Sequence, residues 1–273
     1  MRTQPLGSAA VIVLVVVALA AVFAGQLAPY PPFQNHPDSE LLGPNGTYWL
    51  GTDRFGRDTL SRTLYGARVS LQVGVVATIV VVIVSMTLGV TSAYLGGVWD
   101  YVVGRCIDVV QAIPFLVLLL PMTIIFGRGL YSIGMVLGVL IGLVASRVLR
   151  AAAMNVIAQP YIEVAQSTGA THMRILLRHI IPNVAPLVIV IASINIGVVI
   201  IAEASLSFLG YGVDQTTNVS WGAMLSADGR RHMVTQPWLF VVPVVSIALV
   251  IFSINMFGDA LRDKLDPRLR GTR

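Results

Sequence analysis

Tyr161-Ile-Glu-Val-Ala-Gln-Ser-Thr-Gly169-Ala-Thr-His-Met-Arg-Ile-Leu-Leu-Arg178-His-Ile-Ile-Pro182-Asn183 is a polar, amphipathic island between two long apolar segments. Upstream, residues 129–146 carry no Asp, Glu, Lys or Arg, and downstream 179–202 carry none either. A simple pore has no obvious use for such an island. The same segregation runs along the whole chain. Further charge-free windows cover 3–37, 69–99, 109–127 and 232–258. Each is near or above the roughly 20 residues that cross a bilayer core. Charged residues make up 11% of the chain, against about 25% in soluble domains. The chain therefore reads as a membrane protein.

The windows predict an all-α membrane protein with six spanning helices, at about 9–27, 70–94, 107–126, 131–147, 184–206 and 238–257. Residues 1–69 hold the first helix and a long loop, and 70–273 hold a five-helix core with a connecting segment at 154–183. Strict alternation is absent, which argues against a β-barrel. Arg2 ahead of an apolar run resembles a signal peptide, but the run is long for one, so a retained helix is expected. An even number of spans puts both termini on one side. If that side is cytoplasmic, it carries Arg2, Arg105, Arg147, Arg150, Arg174, Arg178, Arg262, Lys264, Arg268, Arg270 and Arg273, which is 11 of the 18 basic residues. The bias fits the positive-inside rule modestly. The net charge of +5 then reflects topology. Nucleic-acid binding is not expected, because no basic patch is interleaved with exposed aromatics.

Several chemistries are excluded. Lys264 is the single lysine and lies between Asp263 and Leu265, so there is no Walker A Gly-Lys-Ser/Thr and no P-loop. Cys106 is alone and forms no intrachain disulfide. His36, His172, His179 and His232 lack metal-ligand spacing. No catalytic residue, metal or cofactor site is expected, nor an intramembrane enzyme. The centres of the spans lack ionisable groups, which counts against an ion-coupled carrier. Arg105 and Asp108, three apart, are expected to pair at the interface. Glu203 is the best candidate for an intramembrane acid. It serves a gate or pathway, reaches the interface, or closes a hydrogen bond between helices. Gly134, Gly138 and Gly142 make two overlapping GxxxG steps suited to close helix packing, chiefly within the chain. Pro114, Pro121, Pro186 and Pro243 should kink or bound their helices.

The island itself reads as two short helices. Pro160 suits a first turn, and Glu163 lies in that turn, where the helix dipole favours a carboxylate. Ile162 and Ala165 share a face. Gly169 permits a turn, and Thr171 caps the second helix. On that helix Met173, Leu176, Leu177 and Ile180 are expected to form the apolar face, with Arg174 and Arg178 opposite. An interfacial loop helix anchored by its apolar face is the plainer reading.

The spacing of Glu163, Ala165, Gly169 and Pro182 resembles the EAA motif of ATP-binding-cassette (ABC) importer permeases. Val164 and Ile181 are mild departures. His179 is a larger one, although Arg178-His179 before Ile-Ile-Pro182-Asn183 is similar to the peptide-importer branch. Further stretches resemble the C-type permease of dipeptide/oligopeptide/nickel importers. They are Trp49-Leu-Gly51-Thr52-Asp53-Arg-Phe-Gly56-Arg57-Asp58-Thr-Leu-Ser61-Arg62, then Gly66-Ala-Arg68-Val-Ser70-Leu, Ser207-Phe-Leu-Gly-Tyr-Gly212, Ser220-Trp221-Gly-Ala-Met-Leu225 and 258–270.

The resemblance implies a type I ABC importer permease fold in a bacterial cytoplasmic (inner) membrane. It implies a coupling helix, with Glu163, Ala165, Gly169, Thr171, Arg174, Arg178, Ile180 and Pro182 serving an ATPase contact. The implied partners are a related B-type permease, two cytoplasmic ATPases that bind ATP and Mg2+, an external substrate-binding protein and membrane lipid. Gly51, Thr52, Asp53, Gly56, Arg57, Asp58 and Arg62 carry the external-loop signature. By position, Trp221 could belong to a gate. Di- and oligopeptides are the expected cargo, with nickel chelates or glutathione as alternatives. A self-contained channel or secondary transporter is the rival from another class.

Overall fold

Long apolar helices leave no backbone polar group to the surrounding lipid, and this chain meets that condition almost wholly with helix. The computed structural model describes residues 5–265, and among them there is no β-strand. The elements are α1 (Pro5–Val22), α2 (Ala24–Leu27), α3 (Thr59–Leu95), α4 (Gly97–Ala112), α5 (Phe115–Phe126), α6 (Leu130–Ile157), α7 (Pro160–Ser167), α8 (His172–Ile175), α9 (Ile181–Phe208), α10 (Trp221–Met224) and α11 (Trp238–Leu265).

The 37 residues of α3 extend roughly 55 Å at 1.5 Å per residue, beyond the ~30 Å of a hydrocarbon core. Its two tips therefore define two ends of the molecule. The loop end holds 28–58 and 209–237, and the island end holds 158–180.

At the loop end Asp58 caps α3, its Oδ2 accepting from the Ser61 N–H at 2.8 Å and the Ser61 hydroxyl at 2.6 Å. At the other tip Gly96 stops it at φ +62°. The core is built by α3 against α6. A Cβ at Gly134, Gly138 or Gly142 would come within 2.8, 2.5 and 2.9 Å of Val76, Val80 and Val84. The GxxxG stripe thus brings two helices of this chain together. α9 closes the third side, burying Val199 and Leu206 beside Val73 and Leu137.

The expected boundaries shift in places. Four helical stretches are long and apolar enough to cross a membrane: Thr59–Leu95, Leu130–Ile157, His172–Phe208 and Trp238–Arg262. The span expected at 9–27 is α1 and α2 separated at Phe23. The single span expected at 107–126 is two helices. α4 begins ten residues earlier, at Gly97, and α4 and α5 meet at 101°. Pro114 is the N-cap of α5 with ψ 129°, and Ile113 before it is extended, as a residue preceding proline tends to be. Asp100, Arg105 and Asp108 did not prevent a helix from forming; they ended only the apolar pattern.

Candidate functional site: an outward-facing island and a buried polar cluster

The island folds as a helix-turn-helix. Pro160 takes the first turn of α7 with Glu163 beside it. Gly169 sits at φ +79°, a left-handed conformation that side chains resist. The Ala170 N–H closes onto the Ala165 carbonyl at 3.0 Å, which satisfies an otherwise unpaired helix-end acceptor. Thr171 Oγ1 then accepts from the Arg174 N–H at 3.4 Å. After α8 the chain passes through a π-helical turn, Leu176–Ile180, and enters α9 with Pro182 in its first turn. Asn183 Nδ2 donates to the His179 carbonyl at 2.6 Å.

That π-turn corrects the expected apolar face. The buried residues are Ile162, Ile175 and Ile180, while Met173 and Leu177 are exposed and Leu176 is half-buried. Residues 175 and 180 are five apart, the i→i+5 register of a π-turn, which rotates the face away from the 3.6-residue pattern. The three isoleucines pack against Val90 of α3, Leu149 and Ala153 of α6, and Val184 of α9. His172 Nδ1 lies 2.7 Å from the Tyr94 hydroxyl of α3. Glu163, Gly169, Thr171, Arg174, Arg178 and Pro182 all face outward, and Ala165 is half-buried. Among the described residues, Glu163, Arg174 and Arg178 form no ion pair. Tyr161, Val164, Met173 and Leu177 add exposed apolar surface around them. The result is an outward, mixed surface clamped to the tips of three long helices.

The other end is built in the opposite way. Glu203 is 1% exposed. Ser207 Oγ donates to its Oε1 at 2.7 Å, and Ser220 Oγ lies 3.2 Å from Ser207 Oγ. Ser220 caps α10 by accepting from the Ala223 N–H at 3.1 Å. The Glu203 hydrogen bond thus lies within α9, and Ser207 links it to Ser220 at the cap of α10. Trp221 is 2% exposed and packs inside the protein. Its Nε1 donates to the Thr63 carbonyl at 3.0 Å, and its N–H lies 3.4 Å from Ser70 Oγ. Gly66 makes room for its ring, since a Cβ there would lie 2.8 Å from Trp221 Cδ1. Gly222 rests on the backbone of Ala204. Sequence periodicity did not disclose α10. The available signal was Ser220 as a cap, with glycines at 66 and 222.

The signature loop packs beside this cluster. Asp53 Oδ1 accepts the N–H groups of Phe55 and Arg57 at 2.9 and 3.0 Å, and Oδ2 accepts Arg57 Nε at 2.6 Å. Arg62 Nε lies 3.5 Å from the same oxygen. The Thr52 hydroxyl accepts from the Leu42 N–H at 2.8 Å and donates to the Ser39 carbonyl at 2.5 Å. Gly56, at φ +70°, lies against the His36 backbone, and Gly51, at φ +72°, under the Trp238 ring. Arg68 closes the C-terminus of α1 by donating to the carbonyls of Ala21 and Val22 at 2.9 and 2.7 Å. Arg128 does the same for the Gly212 and Gly210 carbonyls at 3.0 and 2.7 Å. In the loop after α9, the Thr216 backbone N–H, followed by its hydroxyl, holds the Asp214 carboxyl below its ordinary range, and Arg128 adds attraction. The mixed charges of residues 53–68 thus tie the loop down locally.

Between the ends, one face of α9 stays open. A cavity of about 810 Å3 lies against Phe115 of α5, Val144 and Val148 of α6, and Leu187 and Val190 of α9. Asn195 and Arg262 are its polar lining residues. A second, smaller cavity of about 380 Å3 is lined by Leu116, Ile201 and Phe208 among others.

Residues 85–271 match the family described as binding-protein-dependent transport system inner membrane component. The chain belongs to that family. Residues 1–44 match the N-terminal TM domain of oligopeptide transport permease C. A glutathione transport system permease protein, GsiD, of Shigella dysenteriae serotype 1 is 36% identical over 272 residues, covering 99% of this chain and 89% of the relative. GsiD of Escherichia coli O6:K15:H31 has the same identity and coverage. The dipeptide transport system permease protein DppC of Alkalihalophilus pseudofirmus is 34% identical over 270 residues, covering 99% and 88%. The chain is therefore a C-type permease of the peptide/nickel ABC importer family and a multi-pass inner-membrane protein. As a permease it is a transport subunit, not an enzyme, and carries no cofactor of its own.

Proposed function

We propose that this permease supplies half of a pathway for di- or oligopeptides. It works with a related B-type permease, two cytoplasmic ATPases that bind ATP and Mg2+, and an external substrate-binding protein. The observation that carries the reading is the island. Its charged and apolar side chains face outward, while three buried isoleucines fix it to α3, α6 and α9. Such a surface receives a partner and passes force to the bundle. Glu163, Ala165, Gly169, Thr171, Arg174, Arg178, Ile180 and Pro182 form or hold this ATPase contact. The six-span count treats α1 as one span and bent α4–α5 as another. In this reading both termini and the island lie in the cytoplasm, which the modest excess of basic residues on that side supports.

The apolar cavities along α9 supply the permease's share of the pathway, closed at the loop end by the Glu203–Trp221 cluster. The names of the similar permeases point to dipeptides or glutathione as cargo. Both present peptide bonds and carboxylates, which suit Asn195 and Arg262.

The test is gentle affinity purification from native membranes with mass spectrometry of the retained partners. A second permease and P-loop ATPases should be recovered, and Gly169→Trp should release the ATPases alone. Recovery of this chain by itself, folded and active in ATP-independent flux, would overturn the reading in favour of a self-contained transporter.

A further inference from the structure

The bent pair α4–α5 has an unusual attachment. Only Val103 and Ile107 of the sixteen residues in α4 are buried. The outward face exposes Val98, Tyr101, Val102 and Val109. Side-chain polar contacts supply much of what holds the helix. Arg150 donates through Nε and Nη2 to the two oxygens of Asp100, both at 2.5 Å. The Ser92 hydroxyl of α3 donates to the same carboxylate. Arg147 donates through Nη2 to Asp108 at 2.6 Å and through Nη1 to Gln111 at 2.8 Å. Arg105 pairs with the second oxygen of Asp108 at 3.1 Å. Arg147 and Arg150 are three apart and share a face of α6, and Asp100, Asp108 and Gln111 share a face of α4.

The position of these contacts is what matters. Arg150 lies ten residues before Pro160, so the anchored part of α6 runs almost directly into the island. At its other end α4 bends into α5, whose first residues, Phe115 and Leu116, wall the two cavities on α9. An arginine fork on a carboxylate fixes direction as well as distance, which a sliding apolar contact does not. We propose that the Arg150–Asp100 and Arg147–Asp108 pairs are positioning contacts. They carry a shift of the island end of α6 through α4 to the α5 wall of the cavity. The proposal rests on the reading of the island as an ATPase-driven segment.

Half-exposed ion pairs contribute little to stability, so variants here should assemble. The test uses the complete complex in proteoliposomes, with its second permease, ATPases and binding protein. Dialanine and glutathione serve as probes, and the readout is peptide taken up per ATP hydrolysed. Arg150→Gln should keep ATP hydrolysis within about twofold of the parent while lowering uptake per ATP by about 2- to 30-fold, the range of coupling changes seen for residues between sites. Arg150→Lys, which keeps the charge and loses the fork, should fall between. Arg147→Gln should act in the same direction.

Unchanged uptake per ATP in both glutamine variants would overturn the proposal. So would a parallel fall of uptake and hydrolysis, or a failure of both to assemble, since either makes the pairs structural ties only. A parent complex that shows no ATP-dependent uptake of either probe would instead remove the peptide-cargo reading, and is distinguishable because it precedes any variant.

Discussion

The two ends of this bundle bury polarity in opposite ways. At the loop end, Asp53, Glu203, Ser207, Ser220 and Trp221 are all buried, and glycines at 51, 56, 66 and 222 let backbones and rings meet with no space for a Cβ. At the island end a Cβ on Gly169 would meet nothing within 4 Å, and charged side chains stand in solvent. Close packing resists deformation, so the loop end reads as a fixed cap. A surface attached by three isoleucines and one hydrogen bond reads as a place where something else docks. The difference teaches that substitutions at one end should cost stability and at the other should cost partnership.

The largest expected effect is Trp221→Ala. Losing a fully buried indole should destabilise the protein by about 3–5 kcal/mol, and the Thr63 carbonyl loses its donor as well. Thermal unfolding of the purified complex is the measurement. A variant that assembles normally and transports at the parent rate would remove both the fixed cap and any gate role for Trp221. Asp53→Ala comes next. It leaves Arg57 without its 2.6 Å partner and two backbone N–H groups without an acceptor. Removing one member of a buried pair costs about 3 kcal/mol, and here the loss should appear locally, as faster proteolysis within residues 28–58. Equal protease resistance in parent and variant would show that the loop is held without Asp53.

Between the ends, Gly138→Val tests the α3–α6 seam, where a Cβ would meet Val80 Cβ at 2.5 Å. Overpacking of this kind costs about 1–3 kcal/mol. An unfolding midpoint equal to that of the parent would mean the two helices separate without penalty.

What the sequence disclosed followed from period and composition. Charge-free windows located α3, α6, α9 and α11, and the cap signals at Pro160, Gly169 and Thr171 lie at the turns they mark in the structure. The glycine stripe at 134, 138 and 142 marked a close helix contact within the chain, which the structure makes with α3. Three features escaped for physical reasons. The π-turn at 176–180 changes the helical period, so a fixed 3.6-residue reading put Met173 and Leu177 on the wrong face. The helix α4 carries Asp100, Arg105 and Asp108, and a search for charge-free runs starts it too late. Its anchors were written as opposite charges at 100 and 108 and at 147 and 150, but only a folded chain brings those positions together. α10 is four residues long, below any periodic signal, and its burial is a tertiary fact. Four of the segments that carried the family resemblance, around Asp53, Ser70, Ser207 and Ser220, lie far apart in sequence and meet around Trp221 and its neighbouring loop, while 258–270 runs beyond the described residues.

The smallest effect on stability is expected from Arg178→Ala, and it is the sharpest use of the contrast. The side chain is exposed and, among the described residues, makes no ion pair. Its removal should therefore change unfolding by no more than about 0.5 kcal/mol. If the island is a docking surface, the same change should reduce recovery of ATPases from native membranes while leaving the second permease bound. A fold left intact with partnership lost is the pairing that the loop end does not allow, because there every side chain that matters is also part of the packing. Should Arg178→Ala unfold the protein, or leave ATPase recovery untouched, the two ends would no longer differ in kind, and the outward charges of the island would be solvated residues of an ordinary membrane-surface helix.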